Sequence, residues 1–182
     1  SFAARYRYNL AIIGIFEQGK SYLEQEITAM NMEQVVLVDE QNNETGTMEK
    51  LRAHLEGQLH RAISVFLFNS KGELLLQQRA GDKYHSANLW TNTCCSHPRP
   101  GESAHDAAVR RLYEEMGLKC ELTEIFTFVY KAQMENSLTE YEYDHVFSGI
   151  CDSLPIPDPS EVAAWKYMNP EDIIADIAAE PQ

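Results

Sequence analysis

Two groups of side chains in this sequence have the types and spacing to do chemistry. In the first, Glu114 follows Arg110 by four residues and Glu115 follows Arg111 by four residues. Residues at that spacing share a helical face, so each carboxylate lies beside an arginine. A hard cation such as Mg²⁺ binds few carboxylates together with phosphate oxygens and water. The pattern admits phosphate chemistry, although a solvated helix with two ordinary ion pairs explains it better when it is taken alone.

The second group combines imidazoles with carboxylates. His54, His60 and His97 lie in or next to polar, loop-like sequence, and Glu140 and Glu142 are two residues apart in a predicted strand. Strand residues at that spacing project from the same face. Three imidazoles and two carboxylates suit Mn²⁺, Fe²⁺ or Zn²⁺ better than Ca²⁺. Any one of these residues alone is more often a surface group, so the prediction rests on the combination. The surface interpretation is kept for His85, His105 and His145.

Cys95 is two residues from His97 and shares a side with it if that segment is extended. The four cysteines form no CxxC pair, which is typical of reduced, cytosolic thiols. A cytosolic cysteine is usually a small buried residue. We assign that role to Cys94, and single out Cys95 because of its surroundings.

Charge and hydropathy limit the partners. The net charge of −13 disfavours binding to nucleic acid or to an anionic membrane. A phosphate-bearing substrate therefore needs a local basic cluster or a bound cation. No apolar run approaches the roughly 20 residues that cross a bilayer, and we find no targeting segment. We expect a cytoplasmic protein, a monomer or weak homo-oligomer.

The elements that must position these groups can be predicted in part. The clearest is a helix over residues 103–116, with Ser103 as its cap, Asp106 at the capping-box position and Gly117 at the left-handed end. Strands are predicted at 35–38, 62–68, 73–78, 125–130, 141–150 and 165–168, and a last helix begins at Pro170 after Asn169. The strand at 62–68 is apolar apart from Ser64, as expected for a central strand. We predict a mixed α/β layer fold with one domain over residues 32–182, and an extension of unknown role over residues 1–31.

The frame around the predicted helix resembles the Nudix box, a loop–helix–loop motif whose carboxylates hold divalent metal against a diphosphate. The matching residues are Glu102, Arg110, Leu112, Glu114, Glu115, Gly117 and Leu118. The resemblance implies a Nudix-like fold of mixed β-sheets flanked by helices. Two positions depart from the motif, because Ser96 replaces its first glycine and Arg111 replaces the first glutamate of its core. Arg111 removes a metal ligand and adds a phosphate partner, which favours a site that holds a diphosphate without cleaving it.

Residues 32–180 resemble the type I isopentenyl diphosphate isomerases more specifically. The resemblance rests on residues 45–50, His54, 60–62, 67–69, 74–80 and 90–98, followed in order by Tyr130 and 140–142. Its most specific part is the TNTCCSHP stretch at residues 91–98. Members of this family interconvert isopentenyl and dimethylallyl diphosphate in isoprenoid biosynthesis.

The resemblance implies a role for each matching residue. One divalent metal, Mn²⁺ or Zn²⁺, would be held by His54, His60, His97, Glu140 and Glu142. The proton-transferring pair would be Cys95 and Glu142, assisted by Tyr130. The diphosphate would be bound by Lys50, Arg79, Lys83 and Arg111, with Glu115 helping to hold Mg²⁺.

Such chemistry needs an acid and a base on opposite sides of a flat substrate, in a cleft that excludes water. Cys95 and Glu142 must therefore confront each other across one cavity. The family usually continues with an aromatic-rich C-terminal segment, whose tryptophan faces the carbocation. This sequence stops at Gln182, and neither Trp90 nor Trp165 takes that role by motif order. Without that ring, worth about 1–2 kcal/mol, the pocket would be more open and catalysis weaker.

Two other functions fit parts of the sequence. A Nudix hydrolase would explain the box, but it leaves Cys95, His97 and Glu142 without a role. A noncatalytic diphosphate-binding protein, with residues 1–31 as a partner surface, would bind the ligand without turnover.

Overall fold

The computed structural model describes residues 33–82 and 86–179. The predicted extension over residues 1–31, Lys83 and His85 lie outside the described residues. Within them, no helix is both long enough and apolar enough to cross a membrane.

The described residues form a mixed sheet with helices against it. In chain order its strands are β1 (Gln34–Val38), β2 (Glu44–Glu49), β3 (His60–Phe68), β4 (Leu74–Arg79), β5 (Trp90–Thr91), β6 (Cys94–Ser96), β7 (Thr123–Gln133), β8 (Thr139–Ile150) and β9 (Val162–Met168). The helices are α1 (Lys50–Glu56), α2 (Ala104–Met116) and α3 (Pro170–Ala179), with one 3₁₀ turn at Glu135–Ser137. The single-domain α/β prediction is confirmed.

The central strand is β3, as its apolar sequence predicts. It pairs antiparallel with β1, β4 and β6, and parallel with β8. The parallel pairing begins with His60 opposite Glu142, and β6 places Cys95 opposite Ser64. Pairing with β3 therefore brings the segments that carry Glu142 and Cys95 next to the strand that carries His60.

Helix α2 covers this sheet with an apolar stripe. Ala108, Leu112 and Met116 are fully buried in the same cluster as Ile63 and Phe147. Truncation of such a core leucine to alanine costs roughly 2–5 kcal/mol. The helix therefore presents one face to the core and leaves its arginines and glutamates on another.

The ends of α2 are fixed by local contacts, as predicted. The Ser103 Oγ accepts the Asp106 backbone N–H at 3.0 Å, and its hydroxyl donates to the Asp106 carboxylate at 2.8 Å. Gly117 ends the helix at φ 68°, and its N–H donates to the Tyr113 carbonyl. Both caps are encoded within a few residues of the ends they stabilise.

The sequence does not predict β2 or α1, and this changes the setting of two histidines. Helix α1 begins after Glu49, whose carboxylate accepts the N–H groups of Leu51 and Arg52, and ends at Gly57 with φ 60°. His54 lies in the last turn of this helix, and His60 is the first residue of β3. The expectation of loop-like surroundings for these two histidines is wrong, because a seven-residue helix with few apolar residues carries a weak periodic signal.

Candidate active site

A cavity of about 1190 Å³ gathers side chains from both helices and strands. Of the residues singled out by sequence, those that line it are Lys50, His54, Arg79, Cys95, His97, Arg111, Glu115, Tyr130, Glu140 and Glu142. His60 is fully buried and contacts His97 and Glu142. Lys83 is outside the described residues. Cys95 and Glu142 thus face a common cleft.

Three imidazoles surround the carboxylate of Glu142. Its Oε1 lies 3.1 Å from the Nε2 of His97, 3.6 Å from that of His60 and 3.9 Å from that of His54. One potential ligand atom from each of the four residues lies within 4.8 Å of the others. A metal bonded at about 2.1 Å holds tetrahedral ligand atoms about 3.4 Å apart and adjacent octahedral ones about 3.0 Å apart. The residues therefore fit a divalent metal.

Backbone carbonyls orient two of these rings. The Nδ1 of His54 lies 2.7 Å from the Lys50 carbonyl, and the Nδ1 of His60 lies 2.8 Å from the Gln58 carbonyl. Because a carbonyl only accepts, each Nδ1 carries a proton, and each Nε2 is the ring nitrogen that faces Glu142. Once free of protons, Nε2 atoms that converge beside a carboxylate form a ligand set for a cation.

The electrostatics keep this cluster in the form that a metal requires. Burial lowers the pKa of His97 to about 4 against the opposing effect of Glu142, and burial also lowers the pKa of His54. Burial would raise the pKa of Glu142, but hydrogen bonds from His60 and His97 hold it well below its usual value. At neutral pH, His54 and His97 are therefore neutral and the carboxylate is charged.

Tyr130 contacts the other oxygen of Glu142. The Tyr130 hydroxyl lies 2.7 Å from Glu142 Oε2 and 3.1 Å from Glu140 Oε2, to either of which it donates. Burial and the charge of Glu142 raise the pKa of Tyr130, so the hydroxyl keeps its proton. Glu140 is not in the group of four that converge within 4.8 Å. Burial and the charge of Glu142 raise the pKa of Glu140.

Cys95 has a different environment, on β6. Its thiol donates to Asn92 Oδ1 at 2.8 Å and lies 3.6 Å from Ser64 Oγ, which donates to Asp144 at 2.7 Å. Although the side chain keeps accessible surface in the cleft, the protein atoms around it desolvate the sulfur and raise the pKa of the thiol to about 12. The charge of Asp144 acts in the same direction. Cys95 is therefore a neutral thiol.

Three residues that sequence reasoning did not identify support this thiol. The Asn92 Nδ2 donates to the carbonyls of Val65 and Cys94, each at 3.1 Å, which fixes its Oδ1 toward the sulfur. Asn92, Ser64 and Asp144 all line the cavity. Two signals for them exist in the sequence, because Ser64 is the polar residue in an apolar strand and Asp144 continues the alternation of Glu140 and Glu142.

Two of the cations that line the cavity are paired with carboxylates. The Lys50 Nζ lies 3.1 Å from Glu33, and the Arg111 Nη2 lies 2.6 Å from Glu115. Burial opposes the charge of Arg111, but the carboxylate of Glu115 raises its pKa, so it stays a cation. With Arg79, these groups form a basic wall within a strongly acidic protein.

Only one of the two predicted helical ion pairs faces the cavity. Arg110 binds Glu102 at 2.7 Å and Glu114 at 3.0 Å, which anchors the loop before α2. Arg111 instead reaches the cavity beside Glu115, whose second oxygen accepts from Gln77 at 2.9 Å. The helix therefore separates a structural arginine from one that can meet a ligand.

Aromatic rings complete the lining. Phe128 and Tyr130 stack with ring centroids 5.5 Å apart, and both line the cavity. Trp90, which sequence order leaves without a role, also lines it, and Lys166 lies over its ring at 4.5 Å.

Comparison with known proteins identifies relatives over most of the chain. Residues 58–182 match the NUDIX domain family. The isopentenyl-diphosphate Delta-isomerase of Pectobacterium atrosepticum is 52% identical over 153 residues, which cover 84% of this chain and 86% of that protein. A protein of the same name from Burkholderia multivorans is 51% identical over 149 residues, with coverage of 82% and 85%.

Solved structures resemble the fold at lower identity. A protein of Deinococcus radiodurans matches with a TM-score of 0.68 and 22% identity, covering 81% of this chain and 90% of that one. A MutT protein of Methanosarcina mazei matches with a TM-score of 0.56 and 19% identity, covering 64% and 81%. These likenesses concern the fold alone.

Proposed function

This chain belongs to the Nudix family and, within it, to the isopentenyl-diphosphate Delta-isomerases, and from that premise we propose that its cleft interconverts isopentenyl and dimethylallyl diphosphate. The observation that carries the proposal is the shared cavity of Cys95 and Glu142, lined as well by Lys50, Arg79 and Arg111. A thiol and a carboxylate provide two proton-transferring groups, and the cations provide a place for the diphosphate.

The proposed reaction moves a proton between carbons by two groups. An acid adds a proton to the terminal carbon of the alkene, which gives a tertiary carbocation, and a base removes a proton from the carbon on its other side. The neutral thiol of Cys95 is ready to act as the acid, and the charged carboxylate of Glu142 is ready to act as the base. In the reverse direction the two groups exchange roles.

Tyr130 and the histidines set the carboxylate for this task. The Tyr130 hydroxyl donates to Oε2 of Glu142 and leaves Oε1 to the imidazoles. The proposed ligands of a divalent metal, Mn²⁺ or Zn²⁺, are His54, His60, His97, Glu140 and Glu142. When bound, the metal would fix this carboxylate and withdraw charge from it. Glu140 is included in this set because of the family resemblance.

The diphosphate is proposed to bind at the basic wall. Lys50, Arg79 and Arg111 line it, Lys83 is the fourth proposed contact, and Glu115 would help to hold Mg²⁺ between protein and phosphate. Guanidinium groups bind phosphate oxygens through paired hydrogen bonds. Arg111 stands where the Nudix motif has a glutamate, which supports binding of a diphosphate without its hydrolysis.

The localisation and partners of the enzyme are proposed from its net charge and its free thiols. We infer a cytoplasmic catalytic domain over residues 32–182 that acts on a small isoprenoid diphosphate as a monomer or weak homo-oligomer. The net charge of −13 argues against nucleic acid and anionic membranes as partners, and the four cysteines are free thiols.

The direct test is incubation with isopentenyl diphosphate and divalent metal, followed by NMR. The expected product is dimethylallyl diphosphate at an equilibrium ratio, with all phosphorus retained as diphosphate. Release of inorganic phosphate or a monophosphate would instead identify a hydrolase. Binding of the substrate without any product, after reconstitution with each candidate metal, would identify a noncatalytic binding protein.

A further inference from the structure

Two cysteines with no role in the proposed reaction lie at the far end of the β7–β8 hairpin. The ladder between these strands pairs Tyr130 with Glu142 near the turn and Thr123 with Ser148 near the open end. Cys120 precedes Thr123 by three residues, and Cys151 follows Ser148 by three residues. Continued beyond the end of the ladder, the register of that last pair brings Cys120 opposite Cys151.

The two segments stay in contact beyond the last paired residues. A Cβ built on Gly149 would lie 2.5 Å from the carbonyl oxygen of Glu121, so the backbones approach closely there. Cys151 belongs to the hydrophobic core cluster, and Cys120 packs against it. Opposed residues of antiparallel strands have Cα atoms roughly 4.5–5.5 Å apart, within the range that a disulfide spans.

The two thiols are neighbours. Both are free, and the Cys151 side chain is near enough to Cys120 to influence its titration. Burial, followed by the neighbouring Cys151, raises the pKa of Cys120 to about 12, so its thiolate fraction is small and its reaction with an oxidant is slow. Cys151 is 8% exposed, whereas Cys120 is half-buried, so an oxidant reaches Cys120 first.

We propose that Cys120 and Cys151 form a disulfide when the protein meets a hydroperoxide, and that this bond closes the hairpin that carries Tyr130, Glu140 and Glu142. Cys120 loses its proton and its thiolate attacks the peroxide; the O–O bond breaks, the departing hydroxide or alkoxide takes up that proton, and a sulfenic acid and water (or an alcohol) form. The sulfur of Cys151 then attacks that sulfur. The S–S bond forms as the S–O bond breaks, and hydroxide leaves with the thiol proton as water. Two thiols lose two electrons, and the peroxide gains them.

The expected consequence is stabilisation without loss of the cleft. The bond would close a ring from residue 120 to residue 151, which restricts the unfolded chain and raises Tm by about 5–10 °C. Neither Cys120 nor Cys151 lines the cavity, whereas Cys95 does. Turnover of the cross-linked protein therefore follows the redox state of Cys95 alone.

The test compares the reduced full chain with the same protein treated with hydrogen peroxide. After free thiols are blocked with N-ethylmaleimide, a non-reducing digest is examined by mass spectrometry. The expected result is one linked peptide pair, containing Cys120 and Cys151, at the summed mass less two hydrogens. Its appearance should accompany the rise in Tm, and dithiothreitol should reverse both.

Matched variants separate this pair from the other thiols. Cys120→Ser and Cys151→Ser should each lose the linked peptide and the rise in Tm, and Cys94→Ala should retain both. Cys120→Ser alone suffices if the buried Cys151→Ser protein does not fold. The proposal is overturned if Cys120 and Cys151 take up maleimide after Cys95 has been oxidised, or if either links to a different cysteine. None of these outcomes depends on isomerase activity.

Discussion

The two sides of the cleft hold their proposed reactive groups by different means. On the thiol wall, formed by Cys95, Asn92 and Ser64, neutral hydrogen bonds orient a side chain that remains accessible to the cleft. On the imidazole wall, formed by His54, His60, His97 and Glu142, a buried carboxylate lies among three aromatic nitrogens. Burial alone keeps a thiol protonated, whereas a buried carboxylate stays ionised only beside hydrogen-bond donors or a cation.

This difference separates the pKa values of Cys95 and Glu142. The pKa of Cys95 is raised to about 12, and the pKa of Glu142 is lowered well below its usual value. Pairs of titratable groups whose environments separate their pKa values are typical of acid and base roles in one site. The thiol wall should therefore depend little on metal, and the imidazole wall should depend on it strongly.

The sharpest test of this contrast removes one group from each wall. Cys95→Ala and Glu142→Gln should each lower kcat by roughly 10³-fold or more, because each takes away one of the two proposed proton-transferring groups. Cys95→Ala should keep its metal and its affinity for the diphosphate, whereas Glu142→Gln should lose metal. NMR turnover assays and elemental analysis measure both effects. Undiminished turnover in Cys95→Ala, or full metal content in Glu142→Gln, would contradict the assignment.

Metal removal should affect the imidazole wall and leave the thiol wall unchanged. Dialysis against a chelator should abolish isomerisation and lower Tm, and Mg²⁺ together with Mn²⁺ or Zn²⁺ should restore both, because a ligand that binds the folded state stabilises it. The Cys95→Ala protein serves as the matched control and should show the same change in Tm. Activity indifferent to chelators would remove metal from the mechanism.

Acid should destabilise the metal-free protein through the same wall. The pKa of His97 is about 4 in the folded state, below the usual value of 6.5, so the unfolded chain binds more protons between those values. Stability is therefore greatest above pH 6.5 and falls by about 3 kcal/mol as the pH drops to 4. Urea unfolding at a series of pH values measures this slope.

The matched variants for the acid test again come from the two walls. His97→Gln should flatten the slope between pH 6.5 and pH 4, because its side chain does not titrate. Cys95→Ala should leave the slope unchanged, because the thiol titrates far above this range. An equal slope in all three proteins would mean that another group controls the acid response.

The elements that the sequence predicts are those with local signals. Helix α2 is predicted from Ser103 to Gly117 because both caps lie within its own sequence. Helix α1 is not predicted, since its cap is the less usual Glu49 and its stability depends on neighbouring strands. Local chemistry therefore identifies a helix end, but it does not identify a short helix that tertiary packing supports.

The candidate site is likewise predicted only in part. Its residue types come from a motif resemblance, whereas their meeting depends on the parallel register of β3 and β8, which places His60 opposite Glu142. No local pattern encodes that register. The contact between Ser64 and Asp144 arises from the same pairing, which explains why sequence reasoning does not assign either residue to the site.

The smallest expected effect concerns the hydrogen bonds of the thiol wall. Asn92→Ala should lower kcat about tenfold with little change in KM, because one hydrogen bond of about 1–1.5 kcal/mol orients the reacting sulfur. Ser64→Ala should cost less, since its oxygen is 3.6 Å from the sulfur. Both variants should keep full metal content and the acid response of the parent protein. A loss of metal in either variant would mean that the two walls are coupled, and the contrast between them would then fail.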